Sequence, residues 1–348
     1  MASTHLTSAA QYDAAGNHDE AINELARGTS AGDPACTEAL GIRLLTGDRA
    51  PQLPAEGLRF IDEACQRGFG AGAARAAGWT ALGVAVAPDW SGALDWLCRS
   101  AEAGWQPSRS QLLALCDDRE LASRGASSPK FWRQLAAAVS LADWRRAPPA
   151  QVKWPEPRVS AFSGLLRPQL CEFFISLAIG RLEPAKVYDP VCREDIVVAH
   201  RSNTIANFDL RTVELAHVLL QARMAAACGV SERHMEGPSV LHYAPGEQIA
   251  DHFDFVDPQS TPDYGGEIAR NGQRMITFLI YLNDDYDGGE TDFPKLGFRH
   301  RGELGGGLYF VNALQDLQPD LRMLHAGCPV TRGEKWIITQ FVRSRPTR

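Results

Sequence analysis

No stretch of this 348-residue chain approaches the ~18 consecutive apolar residues of a membrane-spanning helix, and Met1-Ala2-Ser3-Thr4-His5 lacks the basic and apolar regions of a secretory signal. A soluble, cytoplasmic protein is the expectation. Positive charge is short as well: 35 Lys and Arg face 42 Asp and Glu, a net charge of −7 with pI near 5.7. That balance gives no whole-molecule attraction to nucleic acid or to an anionic membrane. No C-x-x-C pair occurs. Cys36, Cys65, Cys98, Cys116, Cys171, Cys192, Cys228 and Cys328 are scattered singly, which argues for buried thiols over a disulfide framework. The length exceeds one usual core, so two domains are the default.

What the first third does have is a period. At an offset of 36 residues Ala21-Ile22 aligns with Gly57-Leu58 and Ala93-Leu94, Leu25 with Ile61 and Leu97, and Gly32 with Gly68 and Gly104. Apolar residues between the glycines recur at three- and four-residue spacing, so each unit reads as a helix pair. The unit resembles the Sel-like relatives of tetratricopeptide repeats, which implies stacked helices with a surface for a peptide or protein. A plain helical bundle that only packs on its neighbour is the competing reading. Ser128-Pro129 caps a further helix carrying Phe131, Trp132 and Leu135 on one side, and residues 145–157 are too proline-rich for a helix or a central strand. The domains are therefore read as 1–125 (helical repeats), 126–155 (capping helix and linker) and 156–348.

Chemistry concentrates after residue 239, where alternating apolar and polar segments separated by Gly, Pro and Asp turns read as a jelly-roll double sheet. In Ala250-Asp251-His252-Phe253-Asp254 the histidine and the second aspartate are two apart, so on an extended strand both face one way. His325 follows His252 by 73 residues, far enough for several strands to return it alongside. Two imidazoles and one carboxylate with open positions are the ligand set of non-haem Fe(II) oxygenases. A structural zinc site fits less well, since such sites are closed by four ligands, usually including cysteine. Lys335 opens an apolar strand, where burial needs an anion to neutralise it. His217, in an apolar helix, reads as a core or surface histidine.

Taken in order, Tyr243-Ala244-Pro245-Gly246, His252-x-Asp254, Arg274 to Asn283, Gly288-Gly289-Glu290-Thr291, His325 and Lys335-Trp336 resemble the catalytic core of the Fe(II)/2-oxoglutarate dioxygenases, in the prolyl 4-hydroxylase branch, over about residues 156–345. The resemblance implies an α+β multidomain chain: an N-terminal α-helical repeat domain, then a double-stranded β-helix (jelly-roll) catalytic domain with flanking helices. It implies Fe(II) held by His252, Asp254 and His325, with 2-oxoglutarate and O2 as cosubstrates and ascorbate as reductant. Lys335, Thr277 and Tyr243 would hold the distal carboxylate of 2-oxoglutarate, and Arg274 and Glu290 are candidate substrate contacts. A carboxylate at Asp254, where halogenating relatives have a small residue, points to hydroxylation. The implied target is a prolyl residue in a peptide or protein held partly by the repeats. Hydroxylation of a free amino acid, a small metabolite or another side chain is the near alternative, and a non-catalytic repeat adaptor or iron or oxygen sensor the distant one. The long segment 256–267 is expected to be a mobile lid.

Overall fold

The computed structural model describes residues 4–125, 128–189, 194–198 and 200–347. Cys192 lies outside them. The chain forms two compact units, one of residues 1–141 with 210–219 and one of 142–209 with 220–348. Among the described residues no helix is long and apolar enough to cross a membrane.

In the first unit the 36-residue period becomes a series of helices: α1 Thr4–Ala14, α2 His18–Ser30, α3 Pro34–Thr46, α4 Pro54–Gln66, α5 Ala71–Leu82, α6 Trp90–Glu102 and α7 Gln106–Leu115. Helices α2, α4 and α6 are each 13 residues long and start 36 residues apart. Each closes on the repeated glycine, with Gly32, Gly68 and Gly104 at φ 81°, 89° and 97°. The following amides, of Asp33, Phe69 and Trp105, donate to the carbonyls of Gly28, Ala64 and Ser100 at 2.9, 3.0 and 3.1 Å. This left-handed closure satisfies carbonyls that the last turn would leave unpaired, and it is the reason glycine recurs there. Leu25, Ile61 and Leu97, the matched apolar positions, are all buried. The unit continues through α8 Arg119–Ser123 and α9 Pro129–Ala137, where the Ser128 hydroxyl accepts from the Phe131 amide at 3.3 Å and Phe131, Trp132 and Leu135 are buried. Residues 210–219 belong to this unit: Trp79 Nε1 donates to the Leu210 carbonyl at 2.5 Å, and the buried Gln111 side chain accepts from the Ala216 amide at 2.7 Å.

After α10 Leu141–Trp144 the second unit turns to strands. Its elements are β1 Gln151–Trp154, β2 Val159–Phe162, α11 Pro168–Ile179, β3 Glu183–Pro184, β4 Val187–Asp189, β5 Glu194–Ile196, β6 Thr204–Asn207, β7 Ser239–Tyr243, β8 Ile249–His252, β9 Arg274–Tyr281, β10 Asp287–Gly288, β11 Thr291–Phe293, β12 Phe298–His300, β13 Gly307–Val311, β14 His325–Gly327, β15 Val330–Arg332 and β16 Lys335–Arg343. An eight-stranded sheet runs β1-β2-β13-β9-β16-β7-β6-β3, and a four-stranded one runs β12-β11-β14-β8. Apolar side chains of both sheets meet in one core that includes Leu241, Leu279, Tyr281, Phe293, Phe310 and Ile337. This is the double-sheet jelly roll. One local reading is corrected. Residues 151–154, taken from the sequence as linker, form β1 at the sheet edge, where flanking Pro149 and Pro155 remove no ladder hydrogen bond. His217 is buried, its Nδ1 accepting from the Glu214 amide at 3.1 Å.

Candidate active site

Strand register explains how two distant histidines meet. In the antiparallel pair of β8 and β14, His325 lies directly opposite His252, and their rings stand 4.3 Å apart, centroid to centroid. Asp254 is reached by a different route. β8 ends at His252, so Asp254 is not on the strand; its carboxylate is held from the other sheet by the Thr277 hydroxyl, which donates to Oδ2 at 2.7 Å. The ligand atoms of His252, Asp254 and His325 all fall within 4.8 Å of one another.

Tautomers show whether this trio suits a cation. His252 Nδ1 faces the Ala250 carbonyl at 2.8 Å and His325 Nδ1 faces the Met323 carbonyl at 3.0 Å. Carbonyls only accept, so each Nδ1 carries a proton and each Nε2 faces the Asp254 carboxylate, at 3.6 Å from Oδ1 for His252 and 3.3 Å from Oδ2 for His325, where the carboxylate favours the protonated form of the buried His325 ring against its desolvation. Burial alone would push the Asp254 carboxyl up, but the two imidazoles and the Thr277 hydroxyl outweigh it and hold the group well below the usual carboxylate range. Burial and the neighbouring His325 push His252 down to about 4, so its ring is neutral at physiological pH. An ionised carboxylate with the Nε2 atoms of two imidazoles aimed at the same point fits a divalent metal with open positions, which would take the place of the His325 Nε2 proton.

The same cavity, about 620 Å³, has Lys335 in its wall. Lys335 is 1% exposed, and its Nζ donates to the Gly289 carbonyl at 2.7 Å and lies 5.0 Å from the centre of the Tyr243 ring. Burial pulls its ammonium down to about 8. Tyr243 is its cross-strand partner, also lining the cavity, and burial raises its phenol. Thr277 is not with them. It pairs with Phe341 on β16, six residues from Lys335, which is about 20 Å along a strand. Other hydroxyl side chains do line the cavity, Ser239, Thr339 and Thr291 among them; Thr291 is 3% exposed, its hydroxyl 3.0 Å from that of Tyr281. Thr291 stands in the Gly288-Gly289-Glu290-Thr291 turn, and that motif is the signal in the sequence that points to it.

Of the two candidate substrate contacts, one lines the cavity and one does not. Arg274 does line the cavity, locked by Nε and Nη2 onto the Glu236 carboxylate at 2.8 and 2.9 Å and lying over the Phe341 ring. Glu290 is not among the lining residues; its charge instead favours the protonated form of Lys335. The segment expected to be a lid holds helix α12 Tyr264–Asn271, started by Asp263 accepting from the Gly266 amide at 3.0 Å. The buried Gln273 side chain pins its approach, accepting from Val256 N at 2.6 Å and donating to Val256 O at 3.0 Å. Among the described residues, lining comes instead from Glu183, Pro184, Lys186, Val187, His200 and Arg201.

The 2OG-Fe(II) oxygenase superfamily model matches residues 238–343. Probable prolyl 4-hydroxylase 7 of Arabidopsis thaliana is 30% identical over 210 residues, 55% of this chain and 64% of that protein. Probable prolyl 4-hydroxylase 3 of the same plant is 32% identical over 209 residues, 54% of this chain and 69% of the relative. The chain thus spans a little under two thirds of the first relative and slightly more of the second. Among solved structures, a viral collagen prolyl hydroxylase from Paramecium Bursaria Chlorella virus-1, as its 2OG complex, is 24% identical with TM-score 0.42, covering 54% of this chain and 96% of the other. A Sel1 repeat protein from Oxalobacter formigenes is 17% identical with TM-score 0.29, covering 40% of this chain and 60% of the other.

Proposed function

Because this chain belongs to the prolyl 4-hydroxylase-like 2OG-Fe(II) oxygenases, we propose that it hydroxylates a prolyl residue in a peptide or protein, using Fe(II), 2-oxoglutarate and O2 with ascorbate as reductant. One observation carries the reading: the His252, Asp254 and His325 ligand atoms share a single cavity with the buried ammonium of Lys335. His252, Asp254 and His325 would hold the metal. Fe(II) so bound would supply O2 activation, with 2-oxoglutarate leaving as succinate and CO2 while one oxygen atom enters the substrate C–H bond.

The chain's own residues divide the remaining work. Lys335 neutralises the distal carboxylate of 2-oxoglutarate from a buried position in the cavity wall, with Tyr243 beside it and the Thr291 hydroxyl also lining the cavity. The Arg274–Glu236 pair stiffens the rim, because a bidentate guanidinium stacked on Phe341 has little rotational freedom. The helical repeats would hold part of the target, a role supported by Phe69 and Trp105, equivalent positions 36 residues apart that are each 39% exposed. Free thiols at Cys65, Cys98, Cys171, Cys228 and Cys328 suit a reducing, cytoplasmic setting.

Incubation with Fe(II), 2-oxoglutarate, ascorbate and a proline-rich peptide library tests the proposal by mass spectrometry. A gain of one oxygen atom on proline, matched by equimolar succinate, is the expected result. Succinate released with free proline or a small metabolite, and with no prolyl peptide, would move the substrate assignment to the small-molecule class.

A further inference from the structure

Behind the Asp254 carboxylate stand two polar side chains that the metal-site reading does not use. Thr277, in the middle of β9, is 1% exposed, and Asn312, just past the end of β13, is 0% exposed. Asn312 Nδ2 is 2.8 Å from Thr277 Oγ1, which is in turn 2.7 Å from Asp254 Oδ2. Proton counting fixes the direction of this chain. The carboxylate is ionised and accepts only, so the single hydroxyl proton of Thr277 points to Asp254; the threonine oxygen must then accept, and Asn312 must offer its amide N–H. Asn312 is itself held by its backbone, its amide donating to the Met275 carbonyl at 2.7 Å and its carbonyl accepting from the Asp320 amide at 3.0 Å.

We infer that Asn312 and Thr277 form a positioning relay that fixes the orientation of the Asp254 carboxylate through Oδ2, so that it meets the metal in one pose. The inference rests on the metal-site part of the reading above. The need for such a relay follows from the local fold. Asp254 lies two residues beyond the end of β8, so no ladder hydrogen bond orients it, whereas both histidines sit on paired strands and are each oriented by a carbonyl. A carboxylate free to turn would present its oxygens to the metal in many poses. Held at Oδ2, it keeps one, with Oδ1 on the His252 side and Oδ2 on the His325 side. Buried hydrogen bonds in series also polarise one another, strengthening the grip on the anion.

Thr277→Val in the full-length protein removes the donor while keeping the shape. Mn(II) affinity by calorimetry and the visible absorption of the Co(II)-loaded protein read the ligand set without any turnover. The expected result is Mn(II) binding weaker by about 10–100-fold and an altered Co(II) spectrum, both restored by Thr277→Ser. Wild-type affinity and spectrum in Thr277→Val would overturn the relay, and so would a lower melting temperature with metal binding unchanged, the mark of a packing role alone. Should Thr277→Val not fold, Asn312→Ala decides on the same two readouts: weaker Mn(II) binding supports the relay, and unchanged binding overturns it. Wild-type protein that binds no Mn(II) would instead overturn the metal site itself, so the two failures are distinguishable.

Discussion

Lys335 holds a charge in the interior with one carbonyl for a partner, and its pH behaviour follows from that. Burial lowers its pKa from the ordinary lysine range to about 8. The unfolded chain keeps that proton to higher pH, so between about 8 and the ordinary range the unfolded state binds more protons and the empty protein gains stability as pH rises. Binding of 2-oxoglutarate runs the other way. It requires the ammonium, so affinity should fall as pH rises above about 8, with a proton taken up on binding. Calorimetric titration in buffers of different ionisation enthalpy measures both, and an affinity flat across that range would contradict the anchor. Lys335→Met should weaken 2-oxoglutarate by roughly 1.5–3 kcal/mol, the worth of a charge-assisted hydrogen bond, and abolish the pH step. At this scale the pairing of His252 with Asp254 was legible from their spacing of two, and His325 and Lys335 from the order of the motifs that follow. The place of Thr277 was not, because its distance from Lys335 is set by the pairing of β9 with β16, which no single segment reveals.

Elements differ in how tightly they are built, and glycines show where. A Cβ on Gly68 would find nothing nearer than the Ala103 carbonyl at 4.0 Å, so Gly68→Ala should cost only its left-handed backbone strain, about 1 kcal/mol. Gly57 is another matter. A Cβ there would meet Leu45 N at 2.5 Å and Gly41 O at 2.7 Å, backbone atoms of α3 that cannot rotate away. Gly57→Ala should therefore destabilise by roughly 1–3 kcal/mol, more than Gly68→Ala, as read from urea midpoints; equal midpoints would contradict the close α3–α4 contact. The repeat was readable because the helix closure demands glycine every 36 residues. β1 was hidden because proline statistics do not distinguish an edge strand from a linker. Likewise the segment after the metal pair looked like a lid from its length, while its order comes from Gln273 and from Arg343, which bonds Glu267 at 3.2 Å and the Gly272 carbonyl at 2.7 Å.

At the scale of the whole molecule the chain is two cores, so unfolding need not be a single transition. The residues proposed to hold metal and cosubstrate all lie in the second unit. Mn(II) with 2-oxoglutarate should therefore raise the melting of that unit, by about 2.7 kcal/mol at a hundredfold excess over Kd, and leave a transition belonging to the helical unit in place. The most direct test of the site is the order of binding. Anaerobic calorimetry should show one equivalent of Fe(II) bound, then one equivalent of 2-oxoglutarate that binds only after the metal; His252→Ala should lose both and Lys335→Met chiefly the second. Tight 2-oxoglutarate binding without metal, or full Fe(II) binding by His252→Ala, would contradict the site described here.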